Sequence, residues 1–145
     1  MHTQARWTLS LITIVLLGIL TGCGGGGSSS TDGGASSTGD GTPLPARTLS
    51  WDAPDSYTDS TPLNPLTDLG RYEIFVNESG SFTDADTPSA VVSAVDPVTS
   101  TLTTSFNLAS LGPYLSKGIT YQVSMRAVDS SGMTSDFSSP ASFSF

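Results

Sequence analysis

The chain has 145 residues with thirteen acidic and five basic side chains, a net charge of −8 at pH 7, one cysteine and one histidine. This length leaves room for one small domain and a leader segment. The acidic excess excludes partners such as nucleic acid and anionic lipid head groups, which repel a negatively charged surface.

Residues 1–22 have the parts of an export signal. One basic residue, Arg6, comes before an apolar stretch at residues 9–20, and two small residues follow that stretch. Twelve helical residues span about 18 Å at ~1.5 Å each, well short of the ~30 Å hydrocarbon core of a bilayer. The sequence therefore predicts a cleaved signal peptide and not a permanent transmembrane helix.

The signal ends in the run Leu20-Thr21-Gly22-Cys23, which resembles the lipobox of bacterial lipoproteins. The resemblance implies cleavage before Cys23, a diacylglycerol on its sulfur and an acyl chain on its amino group, so that a lipid anchor holds the mature protein at a membrane of the cell envelope. Gly24 stands where lipoproteins kept in the inner membrane carry aspartate, which implies the outer membrane. The alternative is an ordinary secretory signal peptide that has a cysteine at this position by chance.

Removal of the signal also removes His2 and Arg6. The mature chain then has no histidine, no free thiol once Cys23 is acylated, and a net charge of −9 from four basic and thirteen acidic residues. This composition excludes a Ser-His-Asp triad, a Cys-His pair, a disulfide and a zinc site with the usual ligands. We expect no catalytic residue, no metal and no cofactor other than the covalent lipid.

Residues 23–42 consist of Cys23 and the segment GGGGSSSTDGGASSTGDGT. A segment without large apolar side chains cannot bury enough surface to offset the entropy of ordering. We predict a disordered Gly/Ser-rich linker with a root-mean-square span of about 25 Å. We prefer the interpretation that this linker is a functional tether. The alternative is a disordered leader without a function of its own.

Residues 43–145 predict one all-β domain with an antiparallel sandwich architecture. Apolar and polar residues alternate in short runs separated by turn residues, and no run has sustained helical spacing. The segment at residues 55–70 is rich in proline and other turn residues, which predicts a long surface loop. The predicted strands are residues 47–51, 72–76, 90–95, 102–108, 121–127 and 141–145.

Several motifs of this domain resemble a fibronectin type III domain. They are Leu49-Ser50-Trp51, Tyr72-Glu73-Ile74-Phe75-Val76, the run from Phe106 to Leu111, Tyr121-x-Val123-x-Met125-x-Ala127, and Ser135-Asp136-Phe137-Ser138. The resemblance implies a seven-stranded, immunoglobulin-like antiparallel β-sandwich. The core residues that it implies are Trp51, Tyr72, Ile74, Leu111, Tyr121 and Val123.

The same resemblance implies one finer feature, and the sequence departs from the family pattern at two places. The hydroxyl of Tyr121 is expected to reach the backbone near Leu115, as in a tyrosine corner. The segment before Arg47 is shorter than the first strand of the family, and residues 112–116 lengthen a loop. We therefore expect a weakly paired first edge.

The alternation in two strands places Glu73, Phe75 and Arg126 on the outward side of one sheet. If the strands are neighbours, Glu73 and Arg126 can form an exposed ion pair worth about 0.2–1 kcal/mol. We hypothesise that these three residues form a patch that faces a protein partner. Among the loop aromatics, Phe82 is expected to cover the core.

Two groups of loop carboxylates could supply oxygen ligands for calcium. They are Asp84 with Asp86, and Asp52 with Asp55 and Asp59. Neither group has the glycine and the closing glutamate of an EF-hand, so solvated loop acids are the preferred interpretation. A carboxylate pair could also act in glycoside hydrolysis, but a sandwich of this size offers little room for a cleft.

The sequence thus predicts a non-catalytic, lipid-anchored protein that acts as an interaction or adaptor module, or as an accessory subunit of an envelope assembly. A polysaccharide-binding or adhesion module is the second interpretation, and a row of exposed tyrosine or tryptophan side chains would favour it. A small hydrolase that uses two carboxylates is the least favoured. No interaction with nucleic acid is expected.

Overall fold

The structure is a computed structural model that describes residues 44–145. The predictions for the signal peptide (residues 1–22), for the lipidated Cys23 with its linker (residues 23–42) and for Pro43 concern residues outside this described part.

The described residues form six strands in two antiparallel sheets. The strands are β1 (Thr48–Ser50), β2 (Leu69–Asn77), β3 (Ala90–Ser93), β4 (Ser105–Asn107), β5 (Thr120–Asp129) and β6 (Ala141–Ser144). Strand β1 pairs with β4, and the larger sheet has the order β3-β2-β5-β6. The predicted all-β class and antiparallel pairing are confirmed.

The central strands β2 and β5 are neighbours, as predicted, and their register places Glu73 opposite Arg126. β2 begins earlier than predicted, at Leu69, and the register shifts beside Gly70. A β-carbon at Gly70 would lie 3.1 Å from the carbonyl oxygen of Asp129. Glycine therefore allows the close approach of the two backbones at this irregularity.

The smaller sheet is incomplete relative to a seven-stranded sandwich. Within residues 44–145, no strand comes before β1, which pairs over only three residues. Pro45 cannot donate a hydrogen bond to a neighbouring strand, which disfavours a strand at this position.

The predicted strand at residues 102–108 is also shorter than expected. It begins at Ser105, since Leu102 forms only an isolated bridge with Val95. It ends at Asn107, where a helical turn follows.

This turn is a 3₁₀ helix, Leu108–Tyr114, in a region predicted as the end of a strand and a loop. The side chain of Asn107 caps it by accepting a hydrogen bond from the N–H of Ala109 at 3.0 Å. Leu108 and Leu111 are buried, and three-residue spacing places them on the same side of a 3₁₀ helix. The helix thus closes one end of the space between the sheets.

The core lies between the two sheets. Trp51 packs edge to face against Tyr72, with ring centroids 5.1 Å apart. The six core residues that the resemblance implied are all buried. The buried apolar cluster comprises Leu49, Trp51, Leu63, Leu69, Tyr72, Ile74, Ala94, Leu108, Leu111, Tyr121, Val123, Met125, Ala127 and Phe143.

Candidate functional site

The three residues predicted to face a partner lie together on the outer side of the larger sheet. Glu73 and Phe75 come from β2, and Arg126 comes from β5 directly opposite Glu73. This is the face of the sheet that points away from the core, because side chains alternate along each strand.

An ion-pair network connects these charged side chains. Nε of Arg126 lies 2.8 Å from Oε2 of Glu73, and Nη1 of Arg126 lies 3.0 Å from Oδ1 of Asp84. Nη2 of Arg71 is 2.9 Å from Oε1 of Glu73. The predicted Glu73–Arg126 pair forms, but it is not exposed: the two side chains retain 9% and 11% of their accessible surface.

The expectation that Phe75 is exposed is wrong, because the residue is only 2% exposed. Phe137 meets its ring edge to face at a centroid distance of 4.9 Å, and Phe82 lies 6.5 Å away. The guanidinium carbon of Arg126 is 5.2 Å from the ring centroids of both Phe75 and Phe137. We call Glu73, Phe75, Phe82, Phe137 and Arg126 the outer cluster. Phe82 therefore belongs to this outer cluster and does not cover the core between the sheets.

Two serines fix the segment that carries Phe137 beside β5. The hydroxyl of Ser135 accepts a hydrogen bond from the N–H of Ala127 at 2.9 Å, and that of Ser138 accepts from the N–H of Met125 at 3.0 Å. The N–H groups of both serines donate in return to the carbonyls of Ala127 and Met125. Sequence reasoning missed the contact of Phe137 with β2, for which the only signal was an aromatic residue within a polar segment.

The electrostatic environment keeps Glu73 charged. Burial alone would raise the pKa of its carboxyl group, but the hydrogen bonds and charges of Arg126 and Arg71 outweigh burial and hold that pKa below its usual range. A carboxylate held in this way accepts hydrogen bonds and is a poor proton donor near neutral pH. The outer cluster is therefore suited to fixing two loops onto the sheet.

Most of the loop carboxylates considered for calcium make local contacts. Oδ2 of Asp86 accepts from the N–H of Thr83 at 2.6 Å, and Asp84 joins the ion-pair network. Hydrogen bonds from the side chain and the N–H of Thr61 lower the pKa of Asp59. Across residues 44–145, no three His, Cys, Asp or Glu side chains are grouped closely enough to hold a metal ion.

A groove of about 450 Å³ lies at the end of the sandwich beside the 3₁₀ helix. Its apolar lining is Val76, Leu111, Leu115 and Tyr121, its polar lining is Asn77, Glu78, Ser79 and Ser89, and Tyr114 completes it. Tyr114 is 82% exposed. Sequence reasoning placed Tyr114 in a loop but did not connect it with Glu78, since the two residues are distant in sequence and belong to no recognisable motif.

The hydroxyl of Tyr121 makes a specific contact in this groove. It accepts a hydrogen bond from the backbone N–H of Ser116 at 3.0 Å, one residue beyond the position expected from the resemblance. This contact ties the segment after the 3₁₀ helix to the start of β5. The wall of the groove is thereby fixed to the larger sheet.

No family model matches the chain, and no match was found among curated proteins or solved structures. In the part of the chain that the structure describes, no helix has the length and apolar character needed to cross a bilayer.

Proposed function

We propose that this chain is a lipid-anchored, non-catalytic interaction module of the bacterial envelope, acting as an adaptor or accessory subunit at the outer membrane. The lipobox-like run that ends at Cys23 and the Gly/Ser-rich segment after it support anchoring on a tether. We further propose that the domain is of the fibronectin type III kind. The β3-β2-β5-β6 order, the buried Trp51 and the Tyr121–Ser116 contact support this assignment.

One observation carries the interaction role. β3 is an edge strand of the larger sheet, and its Val91 side chain is 56% exposed. Half of the backbone N–H and C=O groups of an edge strand point away from the sheet and can pair with a strand from another chain. The open edge of β3 therefore replaces the outer cluster as the proposed protein-binding surface, because Phe75 is not available to a partner.

The polysaccharide alternative has less support. Tyr114 is the one aromatic side chain among the strongly exposed apolar residues of the described part. A single ring does not form the flat row of aromatic side chains that would favour binding along a glycan chain.

The matched variants Val91→Lys and Val98→Lys test the proposed edge. Both valines are exposed, but Val98 lies in a turn outside the strands, at 89% exposure. A lysine on an edge strand opposes the addition of another strand. We expect the full-length Val91→Lys protein, isolated from solubilised envelopes after cross-linking, to lose partners that the native protein and Val98→Lys retain. Equal recovery of partners with both variants would contradict the proposed edge.

A further inference from the structure

We infer that the groove beside Tyr114 binds a lysine or arginine side chain presented by a protein partner. This inference rests on the proposed role as an interaction module and assigns a chemistry to one of its surfaces. The groove combines an exposed aromatic ring, an apolar wall and one carboxylate, Glu78. A long basic side chain carries the complementary groups: an apolar stem and a terminal cation.

Most polar groups of the groove are already used within the chain. Oδ1 of Asn77 accepts from the N–H of Gly80 at 2.7 Å, and Nδ2 of Asn77 donates to the carbonyl of Ser81 at 2.7 Å. The hydroxyl of Ser89 accepts from the N–H of Val76 at 3.1 Å. These hydrogen bonds build the turn after β2 and the start of β3, and they hold both side chains against the backbone of the chain itself.

The hydroxyl oxygen of Tyr121 also accepts a hydrogen bond from within the chain, from the N–H of Ser116. Glu78 differs from these groups, because its exposed carboxylate makes no hydrogen bond or ion pair with another described residue. A sugar needs several directed donors and acceptors from its site, whereas a cation needs one carboxylate and a ring face. The remaining chemistry of the groove therefore fits a cation better than a glycan.

The aromatic and apolar residues complete the fit. A lysine or arginine stem can pack along Leu111 and Leu115, which line the groove. Tyr114 and Glu78 line the same groove, so we place the charged end of the stem between the ring and the carboxylate. A cation within ~6 Å of a tyrosine centroid is attracted by the face of the ring. The two interactions act on the same charge, so loss of either one weakens binding.

The charge of the chain favours a basic partner over a segment of the chain itself. With the predicted signal removed, the chain has four basic and thirteen acidic residues. A negatively charged surface attracts positively charged molecules. The Gly/Ser-rich segment at residues 24–42 contains two aspartates and no basic residue. It therefore lacks the cation that the groove would accept.

A titration with two peptides tests this inference. The probes are Ac-Leu-Arg-Leu-NH₂ and the same peptide with citrulline, which keeps the shape of arginine but has no charge. Each is added to the isotopically labelled, lipidated protein in a nonionic detergent, and amide chemical shifts are followed by NMR. We expect saturable shifts at Glu78, Tyr114 and Leu115 with the arginine peptide, and at least fivefold weaker binding of the citrulline peptide.

Three variants locate the binding site. Glu78→Gln and Tyr114→Ala should each weaken binding of the arginine peptide about fivefold. Asp52→Asn removes an exposed charge outside the groove lining and should leave binding unchanged. Equal binding of both peptides, unchanged affinity in Glu78→Gln and Tyr114→Ala, or shifts in the groove with chitotetraose but not with the arginine peptide would each overturn the inference.

The outcome is separable from that of the proposed edge. If the arginine peptide does not bind but Val91→Lys still loses its partners, the groove is rejected as a binding site and the proposed interaction module stands. If the arginine peptide binds but Val91→Lys keeps all its partners, the edge of β3 is rejected as a binding surface and the inference about the groove stands.

Discussion

Replacement of Arg126 should lower the stability of the domain by more than is usual for a residue on the outer face of a sheet. The side chain pairs with Glu73 at 2.8 Å and with Asp84 at 3.0 Å, and both Arg126 and Glu73 are largely buried. In Arg126→Met, the one ionic partner that Glu73 keeps among residues 44–145 is Arg71, which is partly exposed. Removal of one member of a buried pair costs about 3–5 kcal/mol.

The remaining contact with Arg71 reduces this cost, and Asp84 is mostly exposed and can be hydrated. We therefore expect Arg126→Met to lower the free energy of unfolding by about 3 kcal/mol. For a domain of this size, such a loss shifts the melting temperature by about 12–24 °C. It is also a large share of the ~5–15 kcal/mol that stabilises a small domain.

The double variant Glu73→Leu/Arg126→Met removes both charges and fills the site with apolar side chains. Replacement of a buried pair by apolar residues of similar size is often neutral, so the double variant should lie within about 1 kcal/mol of the native protein. Arg71→Met is the matched control and should cost at most about 1 kcal/mol, since its side chain is nearly half exposed.

Urea unfolding followed by the fluorescence of Trp51, which is buried in the core, measures all three variants. The expectation is contradicted if the free energy of unfolding of Arg126→Met lies within 0.5 kcal/mol of the native value, which is about the spread of ordinary surface substitutions. A double variant no more stable than Arg126→Met would refute it as well, because the cost would then not come from the unpaired carboxylate.

Two further predictions concern buried aromatic side chains, and a third concerns the charge of Glu73. Trp51→Ala should lower the free energy of unfolding by about 3–5 kcal/mol, since it leaves a cavity beside Tyr72, and a melting temperature within a few degrees of native would contradict the core assignment. Phe75→Ser should cost about 3 kcal/mol or more in denaturant unfolding, whereas an exposed Phe75 would tolerate serine almost without loss. The pKa of Glu73 is depressed in the folded protein, so its contribution to stability is complete above the unfolded value of about 4.3 and is lost as the pH falls through the lower folded value. Melting temperatures between pH 7 and pH 3 should fall less steeply for Glu73→Gln than for the native protein, and parallel curves would count against this linkage.

The central elements of the fold could be predicted because alternation is a local signal. Tyr72 and Ile74 on β2, and Tyr121 and Val123 on β5, are apolar residues at every second position, and the structure buries all four. The 3₁₀ helix could not be predicted in this way. It is too short to produce a repeated helical pattern, and Asn107, which caps it, is equally common in loops.

The candidate site was harder to predict than the fold. Alternation correctly placed Phe75 on the side of the sheet away from the core, but it could not indicate what covers that side. The covering residues, Phe82 and Phe137, lie in two loops that come after different strands. Their positions depend on tertiary contacts such as the Ser138–Met125 hydrogen bonds, which leave no periodic signal in the sequence.

Metabolic labelling with radioactive palmitate most directly tests whether the chain is anchored through Cys23. The full-length chain and its Cys23→Ser variant are expressed in a bacterial host, immunoprecipitated and compared for incorporated label at equal protein amounts. We expect label on the native chain, none on Cys23→Ser, and partition of only the native chain into the detergent phase. An unlabelled native chain that stays in the aqueous phase would contradict the proposed lipid anchor.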